Sequence, residues 1–233
     1  MRKLLVFFVF LSIVCILVIK YFWANTPEWW EYGEETGDVL FDLSVGYISA
    51  FIFYLIDIWI PEIKEKNKIN ERLAVPLSRL LNHIKTPIMS IHNKYAQEKK
   101  DFYNLSKDEF IETIKKVDLI NDYSESYFID IKRYATYGEY LDYEISRVNE
   151  YIEEIYKVPL KLDLTLIEIL DDIKKSEYHQ IMESTKRIGG FYNHNITMQG
   201  TVIAESFYKY YLLFIKLKEY MLKNKIPITI KDL

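Results

Sequence analysis

The chain has 233 residues, half of them hydrophobic, with only 7 glycines and 6 prolines, a composition that disfavours disorder and turn-rich β architectures and predicts mainly helices. Its one cysteine excludes an intramolecular disulfide and a cysteine-based zinc site. The formal net charge is −4, and residues 62–233 carry 27 Lys and Arg against 27 Asp and Glu, which does not indicate a generally basic nucleic-acid binder.

The first predicted element is a membrane helix. An uncharged apolar run extends from Leu4 to Ile19 and the segment continues into Trp23. About 20 apolar residues cross a bilayer as a helix, so we expect a transmembrane helix at about residues 4–23. A cleavable signal peptide is the alternative, but bulky Phe22 and Trp23 stand where a signal peptidase needs small residues.

A second apolar run covers about residues 40–60 and ends at Pro61, after which several lysines follow. The connecting loop, 24–39, contains five acidic residues and no Lys or Arg. The positive-inside rule therefore predicts both termini in the cytoplasm of a bacterium, with the acidic loop outside the inner membrane. The expected domains are a transmembrane hairpin at 1–61 and a cytoplasmic helical domain at 62–233.

One face of the second helix is polar. At about 100° per residue, five of its residues fall within an arc of about 80°. These candidate pore-lining residues are Asp42, Gly46, Ser49, Phe53 and Asp57. An ionised carboxylate that faces lipid costs several kcal/mol, so we expect this face to point into an assembly. Because two helices enclose no lumen, a pore requires a closed homo-oligomer of about four or more subunits, most simply a tetramer.

In such an oligomer the Asp57 side chains would form a cation-attracting ring at the cytoplasmic mouth, and Phe53 a hydrophobic constriction. The alternative is that Asp42 and Asp57 are hydrated near the headgroups. Under that alternative, Gly46 and Ala50 form a small-xxx-small spacing that packs against the first helix.

Beyond Pro61 the sequence indicates consecutive helices. The first, at about 62–98, is expected to kink or restart around Pro76 and Pro87. Ser106 and Glu109 predict a capping box at the start of the second. Later helices are predicted at 123–156, around 166–173 and at 198–223. With no strand pair indicated, the expected fold is an all-α membrane protein.

No pattern in the sequence indicates catalysis. It has no G-x-G-x-x-G, P-loop or G-x-S-x-G pattern, and its four histidines lack metal-ligand spacing. We therefore expect no enzyme, cofactor or metal site. Residues 82–91 resemble the phosphoacceptor box of sensor histidine kinases, but Asn82 occupies the acceptor position and His83 is out of register.

Ligand binding is predicted around the break at Gly189-Gly190. The candidate ligand-binding residues are Lys186, Arg187, Tyr192, His194 and Lys209. Loops on a rigid scaffold commonly carry binding, and aromatic rings among lysines can hold a nucleotide or a single-stranded oligonucleotide. The alternative for the last helix is that its aromatic residues form an ordinary core stripe, with the lysines on the solvent-exposed face. That stripe consists of Phe207, Tyr211, Phe214 and Leu217.

Residues 34–61 carry a pattern seen in bacterial two-helix membrane proteins. The pattern is Glu34-x-x-Gly37, Leu43-Ser44-x-x-Tyr47-Ile48, Ile52-Phe53-Tyr54 and Ile60-Pro61. With the domain order, it resembles the membrane effectors of antiphage defence, such as the Hailong effector, an oligomeric ion channel held shut by a deoxyadenylate oligomer. The resemblance implies a ligand-gated channel or pore of the inner membrane. The alternative function is a membrane-anchored helical module that recruits a protein partner.

Overall fold

The protein is mostly helical in a computed structural model that describes residues 2–21, 32–96, 102–158, 162–187 and 201–229. The chain divides into two compact units, Met1–Lys68 and Ile69–Leu233.

The first unit begins with two consecutive helices, α1 (Arg2–Tyr21) and α2 (Gly33–Tyr54). Helix α2 begins at Gly33 rather than near residue 40, so the prediction that all of 24–39 is loop is wrong for its last residues. Glu34 and Glu35 lie in the first turn of α2, where the positive end of the helix dipole favours carboxylates. The helix therefore starts in the acidic segment, before the apolar run.

Both hydrophobic segments are long and apolar enough to cross a membrane. The apolar window of the first is 0% buried and that of the second is 6% buried. A core helix of a soluble protein would bury most of such a surface. By length and composition, the two helices can span a bilayer.

A π-helical turn, Leu55–Trp59, follows α2, and α3 (Ile60–Tyr95) follows that turn. Helix α3 continues through Pro76 and Pro87, so the prediction that the helix restarts at these prolines is wrong. Each proline removes one backbone hydrogen bond, and both rings are buried on the apolar side of the helix, where packing offsets that loss.

Among its described residues, the second unit has five further α-helices. They are α4 (Lys107–Ile114), α5 (Tyr137–Tyr156), α6 (Leu164–Lys174), α7 (Glu177–Arg187) and α8 (Thr201–Lys223). The capping box predicted for α4 is confirmed, since the amides of Glu109 and Ser106 donate reciprocally to the Ser106 hydroxyl and the Glu109 carboxylate. The fourth predicted helix corresponds to α6, but α7 is a separate helix that the sequence did not distinguish.

A β-hairpin occupies the first part of the predicted third helix. Strand β1 (Tyr123–Phe128) pairs antiparallel with β2 (Arg133–Thr136), so the prediction of no strand pair is wrong. The rings of Tyr127 and Tyr134 meet edge to face across the strands, 5.5 Å apart. Such cross-strand aromatic pairs stabilise a hairpin. The turn contains Lys132 with a positive φ of 51°.

The third predicted helix therefore starts late, as α5, after a second capping box. Thr136 accepts from the amide of Glu139, and the Glu139 carboxylate accepts from the amide of Thr136. Arg133 also donates to both oxygens of Glu139, at 2.6 and 2.8 Å. These bonds link the end of the hairpin to the first turn of α5.

The core of the second unit is formed by apolar side chains from α3 to α8. Among its fully buried members are Leu77, Leu80, Leu81, Ile84, Ile152, Ile155, Leu166, Phe207 and Phe214. This core holds the helices that carry the polar groups described below.

Candidate functional site

Helices α1 and α2 contact each other in antiparallel order. The Tyr47 hydroxyl donates to the backbone oxygen of Leu5 at 3.3 Å, and the ring of Tyr47 meets that of Phe8 edge to face. Near the other end of the pair, a Cβ at Gly37 would lie 4.0 Å from Cγ2 of Ile19. These contacts define the side of α2 that faces α1.

The five predicted pore-lining residues are all exposed, on the part of α2 and the π turn that does not face α1. They are Asp42, Gly46, Ser49, Phe53 and Asp57. Phe53 is 66% exposed, although it is a large apolar side chain. The hydroxyl of Ser49 donates to the backbone oxygen of Val45 at 2.9 Å, so its hydrogen bond is made within the helix.

Gly46 and Ala50 are also exposed, and a Cβ at Gly46 would meet nothing within 4 Å. The alternative prediction, that this small-xxx-small pair packs against the first helix, is therefore wrong. The surface of α2 at Gly46 is therefore open. Small residues at such a position let another helix approach closely.

Asp57 lies in the π-helical turn rather than in a regular α-helix. Pro61 follows this turn, and it has no N–H to bond to the carbonyl of residue 57. The wider i→i+5 turn accommodates this proline without ending the helix. Turns of this kind occur frequently at functional sites.

The electrostatics of this face are those of unneutralised acids. Residues 32–60 contain no Lys or Arg, so Asp42 and Asp57 have no cationic partner within this helical segment. In lipid the two carboxylates would be costly, whereas water or a partner helix would solvate them. The face can therefore attract cations if it lines a water-filled path.

Only one of the predicted ligand-binding side chains is described by the structure. Lys186 and Arg187 lie in the last turn of α7, with their side chains outside the described residues, and Tyr192 and His194 lie outside them entirely. Lys209, on α8, is exposed and pairs with Glu177 at 3.3 Å.

Glu177 is the first residue of α7, and Arg187 is the last. At 1.5 Å per residue, the two ends of α7 are about 15 Å apart along its axis. Lys209 therefore lies beside the end of α7 opposite to Lys186 and Arg187. A single ligand must extend along most of this helix to contact all three.

The aromatic stripe of α8 belongs to the core. Phe207, Tyr211, Phe214 and Leu217 are at most 2% exposed. The Tyr211 hydroxyl donates to the backbone oxygen of Phe102 at 2.8 Å, which fixes the ring inside the unit. The prediction of an ordinary core stripe is confirmed, and these four residues offer no exposed stacking platform.

A partly buried polar pair that the sequence analysis missed joins α3 to α5. Nδ1 of His83 lies 2.6 Å from Oε2 of Glu144, and the His83 ring stacks on Tyr151 at 5.2 Å. Glu144 is only 7% exposed. The partners are 61 residues apart in sequence, so neither helical periodicity nor a local motif could identify the pair.

Several tyrosines of the second unit have pKa values shifted by their surroundings. Burial, with a hydrogen bond to Asp171, raises the pKa of Tyr156 to about 12. Burial also raises the pKa of Tyr178 and Tyr210. These hydroxyls therefore stay protonated at physiological pH, and that of Tyr156 donates to Oδ1 of Asp171 at 2.8 Å.

Across the described residues, no group of three or more His, Cys, Asp or Glu side chains is arranged to hold a metal ion. In the comparisons with known proteins, no family model, curated protein or solved structure matches this chain.

Proposed function

We propose that this protein is an oligomeric effector of the bacterial inner membrane, in which copies of the α2 polar face surround an ion path. The two N-terminal helices cross the membrane with both termini in the cytoplasm, as the distribution of Lys and Arg predicts. The second unit then acts as the cytoplasmic domain that controls the path. The role in antiphage defence is an extension from the resemblance of residues 34–61 to such effectors.

One observation carries the proposal: the polar residues of α2 are exposed on the side that does not face α1. Asp42 and Asp57 are exposed there, and so is Phe53. Lipid is a poor environment for the two carboxylates. A ring of subunits would give both acids water and would cover the open surface at Gly46 with a neighbouring helix.

In such a ring, each position on the face has a separate role. The Asp57 carboxylates concentrate cations at the cytoplasmic mouth, and Asp42 does the same near the outer end. Phe53 lies between them and forms a hydrophobic constriction that closes the path by excluding water. The α2 segment continues through the π turn into α3, so a change in the packing of α3 can reach this constriction.

We propose that a nucleotide or oligonucleotide binds near the end of α7, with Lys186 and Arg187 as contacts to phosphate. Their cationic side chains suit a polyanionic ligand, since Arg binds phosphate oxygens bidentately. Differential binding to two packings of the helical unit would shift the channel between its closed and open states.

The test is ion flux into liposomes that contain the purified full chain. Wild type is expected to conduct cations and to run as an oligomer in detergent. Asp57→Asn is expected to reduce cation flux, whereas Glu112→Gln, which removes an exposed acid of α4, serves as the matched control. A monomer in detergent and no flux from any variant, with or without a nucleotide ligand, would contradict the proposal.

A membrane-anchored binding module is the second candidate, and the exposed surface of the β-hairpin favours it. Ile129, in the turn, is 80% exposed, and Tyr123, Tyr127 and Tyr134 are each 54% exposed. Exposed aromatic and aliphatic residues in one region are typical of protein-binding surfaces. Replacing Ile129 and Tyr127 by Ser would abolish partner recruitment under this reading and would leave ion flux unchanged under the channel proposal.

A further inference from the structure

A small cavity lies within the second unit, where α3, α5, α7 and α8 contribute side chains. Its volume is about 10 Å³, close to the space that one water molecule needs. The polar lining residues are His83, Glu144, Tyr178 and Tyr210, one from each helix. The remaining lining is apolar, so these four side chains determine what the cavity can bind.

The tyrosines supply two hydrogen-bond donors to this cavity. The hydroxyls of Tyr178 and Tyr210 are buried, and neither has a hydrogen-bond partner within the part of the chain that the structure describes. Their ring centroids are 5.0 Å apart, and both residues line the cavity. Folded proteins rarely leave a buried hydroxyl without a partner, because such a hydroxyl loses its hydrogen bonds to water and gains none in the protein.

Glu144 supplies the acceptor. His83 lies 2.6 Å from Oε2 of Glu144, and the Tyr140 hydroxyl also hydrogen-bonds to this side chain. A carboxylate has about four acceptor positions, which leaves room for a further donor. Glu144 lines the same cavity as Tyr178 and Tyr210. A guest that satisfies all three groups must accept two hydrogen bonds and donate at least one.

We propose that this cavity is a binding site for a single water molecule, which accepts hydrogen bonds from Tyr178 and Tyr210 and donates one to the Glu144 carboxylate. Water has both the lone pairs and the hydrogens that this arrangement requires, whereas ammonium and alkali cations have no lone pair to accept the tyrosine hydrogens. The bound water joins α5, α7 and α8 in one polar cluster, and the His83–Glu144 bond extends that cluster to α3.

The test is the thermal midpoint of the full chain in detergent, followed by far-UV circular dichroism. Tyr178→Phe and Tyr210→Phe keep both rings and remove one hydroxyl each. Each is expected to lower the midpoint by about 2 to 4 °C, because the water loses a partner. The double variant is expected to lose less than the sum of the two, because both substitutions release the same water molecule.

Tyr211→Phe is the matched control, since it removes a buried hydroxyl of α8 that bonds directly to a backbone oxygen, and it should lower the midpoint in any case. Unchanged or higher midpoints for Tyr178→Phe and Tyr210→Phe would mean a dry cavity and would overturn the proposal.

The wild-type midpoint is expected to be the same in sodium, potassium and ammonium chloride at equal ionic strength. A midpoint that rises with one of these cations would assign the site to that cation instead.

Discussion

The hydroxyl of Tyr47 donates a hydrogen bond to the backbone oxygen of Leu5 at 3.3 Å, and this contact fixes the rotation of α2 against α1. Because Tyr47 faces α1, Asp42 and Phe53 are left exposed. The geometry of the hairpin therefore separates an α1-facing side from a side that is free to contact further subunits. The proposed ion path depends on this separation.

Asp57→Asn should lower the selectivity for cations over anions. The substitution removes one negative charge per subunit from the cytoplasmic mouth, and a ring multiplies that loss by the number of subunits. We expect the permeability ratio of potassium to chloride to fall roughly twofold or more. The reversal potential across a planar bilayer with asymmetric potassium chloride measures this ratio.

The control for that experiment is Glu112→Gln, which changes the net charge equally in the second unit. It should leave the reversal potential at the wild-type value. Equal shifts for both variants would show that Asp57 acts only through the net charge of the protein.

Gly46→Leu should weaken oligomer formation while leaving the hairpin intact. A Cβ at Gly46 would meet nothing within 4 Å, but a leucine side chain there would keep a neighbouring helix from approaching closely. We expect association to weaken about tenfold or more, equivalent to about 1.4 kcal/mol. Light scattering in detergent over a range of protein concentrations measures the change.

Val45→Leu is the matched control for this prediction, since Val45 is also an exposed residue of α2 and gains one methylene. Its oligomer should match wild type. If Gly46→Leu forms the same oligomer as wild type, this face is not a subunit interface.

Glu139 should stabilise the second unit in a manner that depends on pH. Burial alone would raise its pKa, but hydrogen bonds from Arg133 and Thr136 lower it below the ordinary value. A carboxylate with a lowered folded pKa contributes stability above its unfolded pKa of about 4.3 and loses it as the pH falls through the folded value. Glu139→Gln should cost about 1 kcal/mol at neutral pH, the size of a helix-cap contribution.

Thermal midpoints of wild type and Glu139→Gln between neutral and acidic pH measure this effect. The difference in thermal midpoint between wild type and Glu139→Gln should be largest at neutral pH and should become smaller below about pH 4. A difference that stays constant across this range would mean that the charge of Glu139 contributes nothing.

Lys186→Ala and Arg187→Ala should each weaken binding of an anionic nucleotide ligand, and the loss should decrease at high salt. Lys209→Ala tests the length of the binding site, because Lys209 lies beside the opposite end of α7. The free energy of unfolding of Lys209→Ala should differ from that of wild type by no more than about 0.5 kcal/mol, since the ion pair between Lys209 and Glu177 is solvent-exposed. Fluorescence anisotropy with labelled oligonucleotides of increasing length measures all three affinities.

A contact with Lys209 only for longer oligonucleotides would show that the ligand extends along α7. Unchanged affinity in Lys186→Ala and Arg187→Ala would contradict the predicted binding residues.

The sequence was sufficient for features that rest on local patterns. The apolar run of α1, the capping box at Ser106 and the core stripe of α8 all follow from residue type and spacing. The prediction of a loop at 24–39 places Glu34 and Glu35 outside α2, but both lie in its first turn. Carboxylates are also favoured at a helix N-terminus. Hydropathy alone detects the apolar part of such a helix and omits its polar first turns.

Features without a clear local signal could not be predicted. The β-hairpin has no Asn-Gly or Asp-Gly turn signal, and its turn places Lys132 at a positive φ that lysine seldom adopts. Its apolar residues also fit a helical spacing, which favoured the wrong element. The contact between His83 and Glu144 arises only once α3 and α5 are packed together.

The measurement that tests the central claim most directly is membrane potential in bacterial cells that express the full chain, with a voltage-sensitive dye, with and without phage challenge. Phe53→Ala removes the proposed constriction, and Ile52→Ala is its control, because Ile52 is a neighbouring exposed apolar residue about 100° away around α2. At equal expression, we predict that Phe53→Ala depolarises cells without a signal, whereas Ile52→Ala matches wild type. No depolarisation by any of the three proteins under either condition would contradict a pore lined by this face.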